Sequence, residues 1–182
     1  MEQTQPVLIV ITGPIASGKS TVARALAHEL ARLDVRAAVI DLDILEDMLA
    51  ADEPKSDPAT WTLARHAAAT LANTFLSGGI DVVIADGSFN LSGDRATLEQ
   101  HLSTNVRPLY VTLSVTFEEA LRRAQGDPTR GVSRDPIFLA AYFAAATTAQ
   151  GRIPIADVVI DTESVSPTAA AATIARMVRP VA

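Results

Sequence analysis

Eight consecutive residues restrict the possible fold more than anything else in the chain. Gly13-Pro14-Ile15-Ala16-Ser17-Gly18-Lys19-Ser20 matches G-x-x-x-x-G-K-[ST], the phosphate-binding loop, at every fixed position. That loop functions only between a buried strand and a helix, and the flanks supply both. Val7-Leu8-Ile9-Val10-Ile11 is an apolar, β-branched run of strand length. Thr21 to Leu30 reads as a helix. Gly13 and Gly18 let the backbone fold back and present N–H groups to phosphate oxygens. The helix N-terminus adds partial positive charge at the same place. The expected nucleotide-binding residues are Gly13, Ala16, Ser17, Gly18, Lys19, Ser20 and Thr21. Lys19 is expected to reach the β- and γ-phosphates, and the Ser20 hydroxyl to ligate Mg²⁺.

The rest of the chain alternates strand and helix. Val35 to Asp41 reads as a second strand ending in Asp41-Leu42-Asp43. Ligands of open parallel sheets bind beyond the carboxyl ends of the strands, so these two aspartates are candidates for the site. Asp43 also suits the N-cap of a helix over Ile44 to Ala51. Asp52 to Pro58 is a polar loop, and a long helix runs from Ala59 to Leu76. On that helix Trp61 and Arg65 are four apart and share a face, either as a wall of an acceptor pocket or as a core tryptophan beside a solvated arginine. His66 reads as an ordinary surface or interface histidine.

Ile80 to Asp86 is the third strand, and its terminal acid suits a metal-linked role; capping the next loop is the other reading of Asp86. Phe89 and Asn90 follow and are placed in the acceptor site, ahead of a peripheral helix that begins at Ser92 or Gly93. Val106 to Leu113 is the fourth strand. Thr116 caps a helix over Phe117 to Ala124, with Glu119 at capping-box spacing. Next, Arg122, Arg123, Arg130 and Arg134 fall within thirteen positions of an otherwise acidic chain. Gly126, Pro128 and Gly131 make this stretch a flexible loop, and arginines on such a loop suit charge neutralisation during phosphoryl transfer. Arg134 is assigned to the acceptor side. A helix from Ile137 to Gln150, a fifth strand from Ile155 to Asp161 and a helix from Thr168 to Val178, with Ser166 as cap and Pro167 as first helical residue, complete the chain.

Five strands alternating with helices predict an α/β fold, a parallel sheet covered on both faces. At 182 residues one domain is expected. The net charge of −6 argues against a nucleic-acid partner, whose binding surface would be basic. With no cysteine, disulfides and thiolate metal sites are excluded. No run approaches the ~18 apolar residues of a membrane span, and Met1 to Pro6 carries no basic leader signal, so a cytoplasmic protein without membrane partners is expected.

With these motifs in view, the chain resembles P-loop small-molecule kinases of the shikimate kinase, gluconate kinase and chloramphenicol phosphotransferase type, over nearly its whole length. The discriminating parts are Asp41-Leu42-Asp43, the Arg122-Arg123 to Arg130 spacing, and Ala156-Asp157-Val158-Val159-Ile160-Asp161-Thr162. The resemblance implies a three-layer αβα P-loop NTPase fold with sheet order 2-3-1-4-5 and a short lid over residues 126–134. It implies ATP and Mg²⁺ as cofactors and a small-molecule hydroxyl as acceptor, in a monomer or homodimer. Asp43 resembles the carboxylate that binds the acceptor hydroxyl and serves as its base. Asp41 resembles a residue linked to Mg²⁺ through water, and Arg130 the lid arginine on the transferring phosphate. Arg122 or Arg123 resembles the arginine packed on adenine, and Asp161-Thr162 the adenine-side loop. Shikimate kinases carry Gly-Gly-Gly after the third strand. Asp86-Gly87-Ser88 stands there instead, closer to the acidic strand end of chloramphenicol phosphotransferases.

Overall fold

The computed structural model describes residues 7–49, 57–148 and 155–178. Residues 52–56 of the loop expected over Asp52 to Pro58, the last residues of the helices drawn to Ala51 and Gln150, and the N-terminal Met1 to Pro6 lie outside the described residues.

Five parallel strands, β1 (Val7–Thr12), β2 (Ala37–Asp41), β3 (Val82–Asp86), β4 (Arg107–Ser114) and β5 (Val158–Asp161), form one sheet in the order β2-β3-β1-β4-β5. This is the expected three-layer αβα order. β1 sits at the centre, and its side chains alternate between two cores. Ile9 and Ile11 pack with Val22 and Leu26 of α1 (Lys19–Ala31) and Ile174 of α7 (Pro167–Val178). Leu8 and Val10 pack on the other face with Ala64, Ala68 and Ala72 of α3 (Pro58–Ser77). A strand with both faces covered reads as an unbroken apolar run, as β1 does. Among the described residues no helix is long and apolar enough to cross a membrane.

Local capping sets where the helices begin. Asp57 accepts from Ala59 N–H at 3.0 Å with Pro58 as first helical residue of α3. Ser166 Oγ accepts from Ala169 N–H at 3.2 Å at α7. Thr116 accepts from Glu119 N–H at 3.3 Å and caps α5 (Phe117–Gly126). The reciprocal half of that capping box is absent. Glu119 turns to Arg122 and Arg123 instead, and Thr116 N–H donates to Glu163 Oε1 at 2.7 Å.

One capping expectation is corrected. Helix α2 begins at Leu42 and runs to Leu49, so Asp43 lies inside its first turn. The cap is Asp41, whose Oδ1 accepts from Asp43 N–H at 3.0 Å and Ile44 N–H at 3.4 Å. The proposed lid is also more regular than a loop. Gly126 closes α5, a 3-10 helix spans Val132–Arg134, and α6 (Pro136–Thr148) follows at once. α4 (Ser92–Glu99) is the expected peripheral helix.

The turn from β3 toward the site depends on Gly87. Its φ is +154°, and a Cβ there would lie 2.4 Å from the Cβ of Leu42, itself fully buried. Gly87→Ala is expected to destabilise the fold by roughly 2 kcal/mol, the middle of the range for overpacking a filled site. Chemical denaturation checks this; an unchanged midpoint would refute the close approach.

Candidate active site

Parallel pairing brings the acidic strand ends together. Asp41 is the register partner of Asp86 across β2 and β3, and Asp86 is the partner of Ile11 on β1, one residue before the strand enters the phosphate-binding loop. Gly13 begins that loop at φ +150°. A Cβ on it would meet the Leu113 carbonyl oxygen at 2.5 Å, so only glycine fits against β4. Ala16 holds a left-handed φ of +61°, a strained conformation of the kind kept at functional sites.

Lys19, first residue of α1, is half-buried and donates to the Gly13 and Pro14 carbonyls, both at 3.2 Å. Burial pushes its ammonium pKa down. The nearby carboxylates of Asp43, Asp86 and Asp41 raise it, while the positive charge of Arg130 lowers it further. Lys19, the three strand-end aspartates and Arg130 therefore share one electrostatic site. Arg130 is held by Asp127 at 3.2 Å. Arg134 is exposed on the 3-10 helix and is not among the charges that act on Lys19.

Asp86 is buried and pushed up to about 6, chiefly by desolvation and against a hydrogen bond from Ser20. Its Oδ1 is buried and has no hydrogen-bond partner among the described residues. A hydroxyl beside an under-satisfied carboxylate is a hard-oxygen pair that suits Mg²⁺, which needs few protein ligands when substrate phosphates and water supply the rest. Among the described residues no group of three His, Cys, Asp or Glu side chains is arranged to hold a metal by itself.

A cavity of about 220 Å³ is lined by Ser17, Gly18, Thr21, Arg123, Thr162 and neighbouring apolar side chains. Arg123 is locked in place. Its Nη1 donates to Thr162 Oγ1 at 2.9 Å, its Nη2 to the Thr162 carbonyl at 2.7 Å, and its Nε to Glu119 at 2.7 Å. Of the two arginines considered from the sequence, Arg123 is the one that lines this cavity. Arg122 is exposed and forks onto Glu119 at 2.6 Å.

The acceptor-side expectations fare unevenly. Phe89 is corrected: it is fully buried in the core with Leu8 and Val10 and has no surface to offer a ligand. Arg65 is corrected too. It is 8% exposed, pairs with Asp94 at 3.0 Å and donates to the Ser88 carbonyl at 2.9 and 3.2 Å, so it ties α3 to the loop after β3 and is committed to that task. Trp61 lies one turn away with the guanidinium 6.0 Å from its ring, packed against the core. His66 is exposed and stacks on His101 at 3.7 Å. Asn90 accepts from Thr12 Oγ1 at 2.7 Å, at the end of β1 just before the phosphate-binding loop. Sequence reasoning missed Tyr142 of α6, a half-buried phenol that burial pushes up, with Asn90 and Asp43 among the groups that act on it. A tyrosine inside an alanine-rich helix carries no motif; the short link from the arginine-rich stretch to α6 was the one available signal.

The family model described as AAA domain matches residues 8–135. No curated protein matches the chain in sequence. Among solved structures, the chain is similar to the Mycobacterium tuberculosis APS kinase in complex with AMPPNP and APS, at 19% identity and TM-score 0.70, covering 95% of this chain and 97% of that one. It is similar to a gluconokinase from Sinorhizobium meliloti 1021 at 17% identity and TM-score 0.63, covering 96% and 97%. It is also similar to the Deinococcus radiodurans tunicamycin resistance protein at 19% identity and TM-score 0.62, covering 95% of each chain.

Proposed function

This chain belongs to the AAA domain family, and we propose that it is an ATP-dependent phosphotransferase that moves the γ-phosphoryl group of ATP to a hydroxyl of a small molecule. The observation that carries this reading is Asp43 in the field of Lys19 at the carboxyl edge of the sheet. Nucleotide binding alone needs the loop and its lysine. A carboxylate exposed on α2 beside that lysine is what an incoming hydroxyl needs. The structural likeness to an APS kinase and a gluconokinase supports the same reaction class, and the tunicamycin resistance protein extends the acceptors worth testing to antibiotics.

In this reading the Arg123–Thr162 cavity takes the base, and the loop N–H groups with Lys19 take the phosphates. Ser20 and Asp86 would hold Mg²⁺, with Asp41 beside them; the ion supplies charge neutralisation on the β- and γ-phosphate oxygens. Asp43 orients the acceptor hydroxyl. The acceptor oxygen bonds to the γ-phosphorus, the bond from that phosphorus to the β–γ bridging oxygen breaks, ADP leaves, and the hydroxyl proton passes to Asp43. Lys19 and Arg130 stabilise the charge that spreads over the transferring group. Closure of the segment around residues 126–134 would shed water that otherwise hydrolyses ATP.

A panel of hydroxyl compounds, metabolites and antibiotics of neutral, cationic and anionic type, tests the proposal by ADP release. At least one compound is expected to raise the rate well above hydrolysis without acceptor and to emerge phosphorylated. ATP binding with no stimulation by any member would point instead to a nucleotide-binding or ATPase module.

A further inference from the structure

Resting on the nucleotide placement of the phosphotransferase reading, we infer that Asn90, expected from the sequence on the acceptor side, serves the phosphate donor instead: its side-chain NH₂ donates to the terminal phosphate of the bound triphosphate. Hydrogen bonds fix which end of the amide is offered. Thr12 is buried, and its hydroxyl accepts from Phe89 N–H at 3.1 Å and gives its one proton to Asn90 Oδ1 at 2.7 Å. The oxygen end of the amide is thus turned to Thr12, and the NH₂ end points away from it. Ser88 Oγ lies 3.4 Å from that NH₂, too long for a strong bond. The backbone around Asn90 is pinned on both sides. Buried Arg65 donates to the Ser88 carbonyl at 2.9 and 3.2 Å, and buried Arg95 to the Phe89 carbonyl at 3.4 Å. Leu91 N–H donates to Asp94 at 3.0 Å. A donor held this way is in position before the ligand arrives.

The two ends of the phosphate-binding loop say which part of the nucleotide Asn90 meets. The cavity that takes the base is lined by Ser17, Gly18 and Thr21, at the helix end of the loop. Lys19 Nζ lies at the strand end, 3.2 Å from the Gly13 and Pro14 carbonyls. A phosphate chain that leaves the cavity and follows the loop N–H groups finishes at the strand end, where its last phosphate meets Lys19. Thr12 is the residue before Gly13, so the Asn90 amide stands at that same end. Asp86, register partner of Ile11, closes β3 beside it and Asp41 closes β2 next to Asp86. A terminal phosphate set down near these carboxylates needs donors for its oxygens, and an amide supplies one. ADP carries no phosphate at this end, so the contact belongs to the triphosphate alone.

Calorimetry with MgAMPPNP and MgADP on the wild type, Asn90→Ala and Asn90→Asp tests this. Asn90→Asp keeps an oxygen for the Thr12 hydroxyl and loses the NH₂; Asn90→Ala loses both without adding a charge. In both variants AMPPNP affinity is expected to fall about tenfold or more, the worth of one hydrogen bond to a charged group. ADP affinity should match the wild type. Asn90→Ala binding AMPPNP as the wild type does overturns the inference, whatever the added charge does in Asn90→Asp. Equal losses for the two nucleotides also overturn it, because Asn90 would then support the shape of the loop. Should Asn90→Ala fail to fold, Asn90→Asp decides alone, and an unchanged ratio of the two affinities there overturns the inference. A panel in which no hydroxyl compound is phosphorylated, beside the expected split between AMPPNP and ADP, removes the phosphotransferase reading and leaves this inference standing. A wild type that binds neither nucleotide removes both.

Discussion

Lys19→Ala lowers acceptor-dependent turnover by roughly 10²–10³-fold, about 3–4 kcal/mol of transition-state stabilisation, the range for removing one preorganised group aimed at developing charge. The structure explains why the loss should be large. Lys19 is the one cation fixed within the loop itself. It is half-buried and desolvated, and its ammonium is surrounded by the Gly13 and Pro14 carbonyls and three carboxylates. A charge held without bulk water acts more strongly on a phosphoryl group than the same charge on a solvated side chain. Arg130 lies close enough to act on Lys19, yet it is anchored to Asp127 and cannot take over the lysine's position without leaving that partner. Stability should change little. Burial already disfavours the charged lysine, so truncation removes a desolvated ammonium along with its attractions. The measurement is ADP release with the best acceptor of the panel, together with a melting curve. Turnover near the wild-type value in a folded variant would remove the basis for assigning the loop to phosphate transfer.

The strand–loop–helix around Lys19 and the acidic ends of β2 and β3 were legible from the sequence, because each rests on a local pattern, whereas the sheet order was legible only through the family resemblance. A β-branched apolar run buried on both faces has few other uses, and an aspartate closing it falls at the carboxyl edge wherever the strand sits. The errors share a different cause. Phe89 was placed in the acceptor site because it follows β3, and Arg65 was considered for it because it shares a helix face with Trp61, but which way such a side chain turns is decided by tertiary packing. Phe89 turned into the core, and Arg65 found Asp94 and the Ser88 carbonyl. The cap of α2 was misassigned between Asp41 and Asp43 because the helix starts without a gap at the end of β2, and two aspartates at i and i+2 give no local reason to prefer one. Tyr142 was invisible for the same reason in reverse. Asn90, a group that acts on it, lies more than fifty positions away in the chain, and no spacing rule connects them.

Asp43→Asn separates chemistry from nucleotide binding, and the corrected cap makes the experiment cleaner. Asp41 carries the helix cap, so the substitution leaves both backbone N–H groups of the first turn of α2 with their acceptor. Among what the fold loses is a negative charge near a helix N-terminus, worth about 0.3–1 kcal/mol at an exposed site. A small drop in melting temperature is expected. Activity should fall much further. Asn keeps the size of the side chain and one acceptor oxygen but cannot take the hydroxyl proton, and general-base help contributes ~10²–10⁴-fold. The loose transition state of phosphoryl transfer needs little deprotonation before the oxygen attacks, which favours the low end of that range. Turnover is therefore expected to fall on the order of a hundredfold. Nucleotide affinity should hold or rise slightly, because Asp43 is the carboxylate that acts most strongly on Lys19, and removing it leaves the ammonium less neutralised when the phosphates arrive. Calorimetry with AMPPNP and ADP release with the best acceptor, on the same preparation, read the two effects separately. A large loss of nucleotide affinity with the acceptor step intact would move Asp43 to the metal side and leave Asp41 or Asp86 to face the acceptor.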